Sequence, residues 1–265
     1  MNIILNALIL GSFFITVISL FPPLSIVFPM YKLKKTSGNT PRERVIINMI
    51  ALLIIGVFIF FNVIDWGILV LYIVFSIPEL LYYLIQKLKP SIPVFDRISI
   101  SSLIMFFVML VVFKYIFNEP GLDLEKVKEL YKNTKEVSQE DLNIIFGYIK
   151  RNAYVIIFIY AYLSNYLAHW AKFPKIFNEW HLNYLWTIPY LIFFGLNYAY
   201  PDTIIYSNGE KIMKVIFIGY GVKAVKCIAE TFTGKKKIAK LIAVLGLLLS
   251  PTTVFIVGVF RSLLS

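Results

Sequence analysis

The stretch IILNALILGSFFITVISLFPPLSIVFP, residues 3–29, decides how this chain folds. Its first part, about 3–21, is continuously apolar and has the length of roughly 20 residues that an α-helix needs to cross a bilayer. Pro22 and Pro23 then stop the helix. Proline has no N–H to donate and pushes the residue before it away from α geometry. Leu24–Met30 is too short to cross. It reads as an interfacial turn or a short re-entrant segment on the cytoplasmic side, and at membrane depth such a segment needs protein to pack against.

The same pattern recurs along the chain. Of 265 residues, 59% are hydrophobic and only 15% charged, too few charges to cover a soluble domain of this size. Apolar segments of spanning length occur at about 3–21, 45–62, 66–86, 98–117, 153–171, 183–200, 212–232 and 238–262. The predicted fold class is therefore all-α: a polytopic transmembrane helical bundle of about eight spans. No soluble stretch is long enough for a second core, which predicts a single membrane domain over 1–265.

Loop charges orient the spans. The first, third, fifth and seventh connections are basic: Lys32, Lys34, Lys35, Arg42 and Arg44; Lys87, Lys89 and Arg97; Lys172 and Lys175; Lys235, Lys236, Lys237 and Lys240. Retention of Lys and Arg on the cytoplasmic side puts both termini outside, in a multi-pass protein of the bacterial cytoplasmic (inner) membrane. Topology thus accounts for the net charge of +11, and nucleic acid is not expected as a partner. Anionic lipid headgroups of the bilayer are a secondary attraction. The lone Cys227 rules out an intrachain disulfide.

One polar region interrupts the spans, an extracytoplasmic insertion at 118–152. Asp123 can cap a helix with Val127, Leu130 and Tyr131 on one face. Ser138 and Asp141 resemble a capping box before Leu142, Ile145, Phe146 and Ile149. Two short amphipathic helices are expected, resting on the outer mouth of the bundle.

Ionisable groups within spans are costly, and each is a functional hypothesis. Glu79 follows Pro78 in the third segment. Lys223 and Lys226 lie in the seventh, with Glu230 four residues after Lys226 and on the same helix face. A pair between Glu79 and one of these lysines is geometrically allowed: the charges neutralise one another inside the bundle, the lysines snorkel toward the basic inner loop, or the group forms a substrate or proton site. Tyr160, Tyr190 and Asn165 fall mid-span and can line a pocket for a planar organic ligand. The candidate ligand-binding set is Glu79, Tyr160, Asn165, Tyr190, Lys223 and Lys226. Small residues mark close helix packing: Ala7 and Gly11 first, then Gly219 and Gly221, then Ala239, Ala243, Gly246 and Ser250.

Catalytic signatures are missing. The sequence holds no HExxH, GxSxG or Walker A pattern, and His169 and His181 have no metal-ligand spacing around them. No enzyme activity, cofactor or metal is expected.

Two stretches carry a family resemblance. FPKIFNEWHLNYLWTIP, residues 173–189, resembles the aromatic linker between late helices of the YybS-like family of bacterial membrane proteins, through Phe177, Trp180, Leu182 and Trp186. IFIGYGVKAVKCIAETF, residues 216–232, resembles the helix after it. Gly221 matches a glycine there, although Tyr220 stands where that family commonly has glutamine. The C-terminal GVFRSLLS keeps Gly258 and Arg261 but lacks the family's acidic residues. That family is distantly similar to the substrate-binding subunits of energy-coupling-factor vitamin transporters. The resemblance implies a helical bundle enclosing a small molecule, with Ala7 and Gly11 meeting a coupling subunit and separate ATPase chains driving transport. A non-transporting membrane scaffold, or a partner subunit of envelope or signalling machinery, is the alternative.

Overall fold

The computed structural model describes residues 3–115, 139–172 and 177–264. Among these residues every regular element is helical and no strand occurs. Helix α1 covers Ile3–Leu20 and leads through a 3-10 turn, Pro22–Val27, into α2, Phe28–Lys35. Then follow α3 (Pro41–Phe60), α4 (Gly67–Leu88), α5 (Val94–Tyr115), α6 (Gln139–Arg151) and α7 (Ala153–Lys172). The chain continues as α8 (Thr187–Ala199), α9 (Ile204–Thr233), α10 (Lys236–Leu249) and α11 (Pro251–Leu263).

Helices α1, α3, α4 and α5 are each long and apolar enough to cross a membrane. Two further crossings would each use a bent pair: Asn143–Arg151 with α7 at 65°, and α10 with α11 at 116°. Among the described residues there are therefore four to six candidate spans, where hydropathy alone suggests eight. The shortfall has physical reasons. α8 has 13 residues, roughly 20 Å of helix against a hydrocarbon core of about 30 Å. α9 is 30 residues long but carries Glu210, Lys211, Lys214, Lys223, Lys226 and Glu230. The expected span 238–262 breaks at Ser250, because Pro251 cannot donate into the preceding turn. Arms of 14 and 13 residues joined at 116° reach end to end only roughly 21 Å.

The chain divides by its internal packing into two compact units. One comprises Met1–Pro90, Ile100–Asn118 and Tyr160–Pro174; the other comprises Ser91–Ser99, Glu119–Ile159 and Lys175–Ser265.

In the first unit α1 packs on α3. Ala7 is fully buried, and a Cβ on Gly11 would rest in ordinary contact, 3.5 Å, with the Ala51 carbonyl oxygen and Ile54. The pair expected to meet a coupling subunit is thus engaged within the chain, because α3 supplies the apolar surface that small residues admit. The carbonyl group of Pro22, at the start of the 3-10 turn, also accepts from Ser25 Oγ (2.5 Å) and from the Tyr160 hydroxyl (2.8 Å). α2 then turns inward, with Phe28 and Leu33 fully buried. Phe14, Phe28 and Tyr72 form a ring cluster with centroids 4.7–5.4 Å apart. Buried apolar faces of this kind dominate the energetics of a core.

In the second unit α8, α10 and α11 pack on α9. A Cβ on Gly209 would overlap the Phe193 ring, one on Gly221 the Val254 carbonyl, and one on Gly258 the Phe217 carbonyl. Gly221 and Gly258 thus let two backbones touch. Gly234, at φ 64°, ends α9 in the left-handed conformation. Of the expected insertion, the second segment is helical (α6) with Phe146 buried, but Ile145, expected on the same apolar face, is exposed, as are Ile144 and Tyr148. The first, on Asp123, Val127, Leu130 and Tyr131, lies outside the described residues, as does Ser138.

Candidate functional site

Residues Phe28, Lys32 and Thr36 are spaced one helical turn apart, so α2 and its C-terminal cap carry them on one face. Burying Phe28 therefore buries Lys32. Its side chain is fully enclosed, with the ammonium 5.9 Å from the Phe28 ring centre and 5.2 Å from that of Tyr72. The ammonium donates to Ser76 Oγ at 2.6 Å and pairs with Glu79 Oε2 at 3.1 Å. The Thr36 hydroxyl reaches the Lys32 carbonyl (2.9 Å) and Glu79 Oε1 (3.3 Å). Burial pushes the Lys32 ammonium below its ordinary range, and attraction and hydrogen bonding from Glu79 oppose that shift.

Glu79 follows Pro78 inside α4. Proline removes the N–H that would bond the Val74 carbonyl, so the helix ladder is interrupted one residue before the charge. Phe75 meets Tyr160 with ring centres 5.5 Å apart, and Tyr82 meets His169 at 5.3 Å. These two contacts run α4 and α7 side by side in the same direction, which brings Glu79 and Asn165 to one level. Asn165 donates to the Ala161 carbonyl at 2.9 Å. Its Oδ1 is fully buried and accepts no hydrogen bond among the described residues. The first unit therefore holds a polar cluster of Lys32, Thr36, Ser76 and Glu79 among aromatic contacts, while Asn165 Nδ2 lies 3.6 Å from Met105 Sδ.

The candidate residues of the second unit have separate roles. Lys223, 2% exposed, donates to the Trp180 carbonyl at 2.9 Å. Lys226 pairs with Glu230 at 3.0 Å, as their spacing of four indicates. Tyr190 packs its ring against Phe217 and Phe255, with centres 6.1 and 5.2 Å away. Glu79 thus takes Lys32 as its partner in place of a lysine of α9. Tyr160 is engaged with Ser25 and Pro22, so its hydroxyl serves the turn after α1.

Lys32, Ser76 and Thr36 were not legible as site residues. Lys32 counts as a loop charge until α2 is recognised as a buried helix; the turn-spaced Phe28, Lys32 and Thr36 beside apolar Pro29 and Leu33 are the signal. Asp96 is a second omission. Its Oδ1 accepts from the Asn183 N–H at 2.9 Å and from Trp186 Nε1 at 3.1 Å. Asp96 and Lys223 together satisfy backbone groups of the non-helical segment 180–183. Irregular backbone in apolar surroundings needs such partners. Among the described residues, no group of three His, Cys, Asp or Glu side chains is placed to hold a metal ion.

By length and composition, α1, α3, α4 and α5 are compatible with a membrane protein. No family model, curated protein or solved structure matches the chain.

Proposed function

We propose that the chain is a multi-pass protein of the bacterial cytoplasmic membrane that binds a small solute of mixed charge within its first unit, in the manner of a transporter substrate-binding subunit. The observation that carries this reading is the Lys32–Glu79 pair, enclosed to 0% and 7% exposure. An internal ion pair gains little over apolar packing of the same volume, so its retention calls for a role beyond stability. A zwitterionic solute can replace the pair without leaving an uncompensated charge: its carboxylate takes Lys32 and its ammonium takes Glu79. The sequence resemblance to the substrate-binding subunits agrees with this role. The chain has no nucleotide-binding pattern, so active transport would use separate coupling and ATPase subunits.

Mass spectrometry of small molecules released from the purified protein tests the reading. A zwitterion retained by the native chain and lost from Glu79→Gln is expected. Repeated recovery of no solute, with a stoichiometric protein partner instead, would replace it with the scaffold role. One feature favours that alternative: an exposed apolar groove of about 600 Å³ lined by Met49, Leu53, Gly56, Val57, Phe60 and Leu69.

The same proposal includes a topology. The basic connection after α2 lies in the cytoplasm. The α10–α11 pair enters from the cytoplasmic side, where Lys235, Lys236 and Lys237 sit, and returns to it, because its reach of roughly 21 Å is too short for a crossing. A cysteine placed at Gly38 is expected to resist an impermeant reagent applied outside intact cells. A reporter fused after Ser265 is expected to read cytoplasmic, in place of the extracytoplasmic end that eight spans imply. An external reading there would mean that 236–263 crosses after all.

A further inference from the structure

Lys223 is a different kind of buried charge from Lys32. Only 2% of it is exposed, yet among the described residues no carboxylate pairs with it. Its ammonium has three protons to donate. One goes to the Trp180 carbonyl, and the ammonium lies 5.5 Å from the Tyr220 ring centre. Burial disfavours the ammonium most; the Cys227 sulfur favours it, while Arg261 and Lys226, of the same sign, oppose it, and Lys226 is itself paired with Glu230.

Two further side chains able to donate to an anion, one of them cationic, come to this place for structural reasons. The bond from Lys223 to Trp180 brings the next residue, His181, beside it. The backbone contact of α9 with α11 at Gly221 and Gly258 does the same for Arg261. Arg261 lies about one turn past Gly258, and Lys223 two residues past Gly221. Arg261 is exposed, and neither its guanidinium nor the His181 imidazole has a hydrogen bond or ion pair among the described residues. Electrostatics agree with this grouping. Burial, then Lys223 and Arg261, hold His181 below its ordinary range, and Glu179 pulls the other way. At neutral pH the imidazole is therefore uncharged, with one ring N–H to donate.

We propose that Lys223, Arg261 and His181 form a binding site for a phosphate group, carried by an anionic lipid headgroup or by a free phosphate. A buried ammonium among like charges is held at an electrostatic cost, and an anion reverses the sign of every one of those interactions. Guanidinium and ammonium groups suit phosphate oxygens, the first through two parallel bonds. The site belongs to the second unit and does not rest on the solute proposed for the first.

The test uses the full chain in neutral detergent. Inorganic phosphate is titrated by calorimetry, and phosphatidylglycerol is compared with phosphatidylcholine by native mass spectrometry. Binding of at least one phosphate source is expected. Selective retention of phosphatidylglycerol, without a response to inorganic phosphate, would identify the headgroup as the source; the reverse would identify a soluble anion. Arg261→Gln is expected to weaken whichever binding is seen by about tenfold, with Arg261→Lys keeping most of it. Arg261 is exposed, so both variants should fold. His181→Gln, which keeps a donor, should lose less. The site is refuted if neither phosphate source binds, or if binding is the same in native protein and in Arg261→Gln.

Discussion

Glu79→Leu is expected to destabilise the purified protein by about 3–5 kcal/mol, and Lys32→Leu by a similar amount, because either leaves an opposite charge enclosed and alone. The double replacement, Lys32→Leu with Glu79→Leu, should recover most of the loss. Its two apolar side chains join Phe28, Leu33 and Tyr72, all at most 1% exposed. Thermal unfolding of the four proteins in one detergent measures the cycle. Additive losses in the double variant would show that the two side chains do not interact. The same cycle separates structure from function. A double variant that is stable but no longer retains solute supports the proposed binding role, and one that keeps its solute assigns the pair to stability alone.

Gly221→Leu is expected to have an effect of comparable size in the second unit. Even a methyl group at this position would overlap the Val254 carbonyl, a backbone group that cannot rotate aside. Overpacking commonly costs about 1–3 kcal/mol, and more where the obstacle is rigid. The α9–α11 contact should then open, and Gly258→Leu should do the same from the other side. Gly56→Ala and Gly195→Ala are the controls. Nothing lies within 4 Å of a Cβ at either site, and alanine favours helix over glycine by up to about 1 kcal/mol. Size-exclusion profile and unfolding midpoint report the difference. If Gly221→Leu behaves like these controls, the two backbones do not meet as described.

The two contacts differ in how far sequence could reveal them. Gly221 was visible as one of a set of small residues, a known device of close helix packing. Its counterpart Gly258 and the carbonyls they meet were not, since the crossing depends on the break at Ser250. The ion pair was half visible. Glu79 stood out as a carboxylate in an apolar segment, but the nearest lysines by segment, Lys223 and Lys226, were the wrong partners. Lys32 lies 47 positions before Glu79, among basic residues that look like an ordinary cytoplasmic loop. Its burial follows from Phe28 and Leu33 turning inward.

Local chemistry was decided by sequence alone. Apolar runs of spanning length, prolines at 22 and 23, and the Lys226–Glu230 spacing specify helices, a stop and a pair, because each depends on neighbours within a turn or two. The number of helices fit to cross, the division into two units, and the partners of Glu79 and Lys223 were decided only by tertiary structure. Hydropathy averages over a window and cannot register a 116° bend within it. A buried charge takes the complementary group that packing carries within about 3 Å, at whatever distance along the chain.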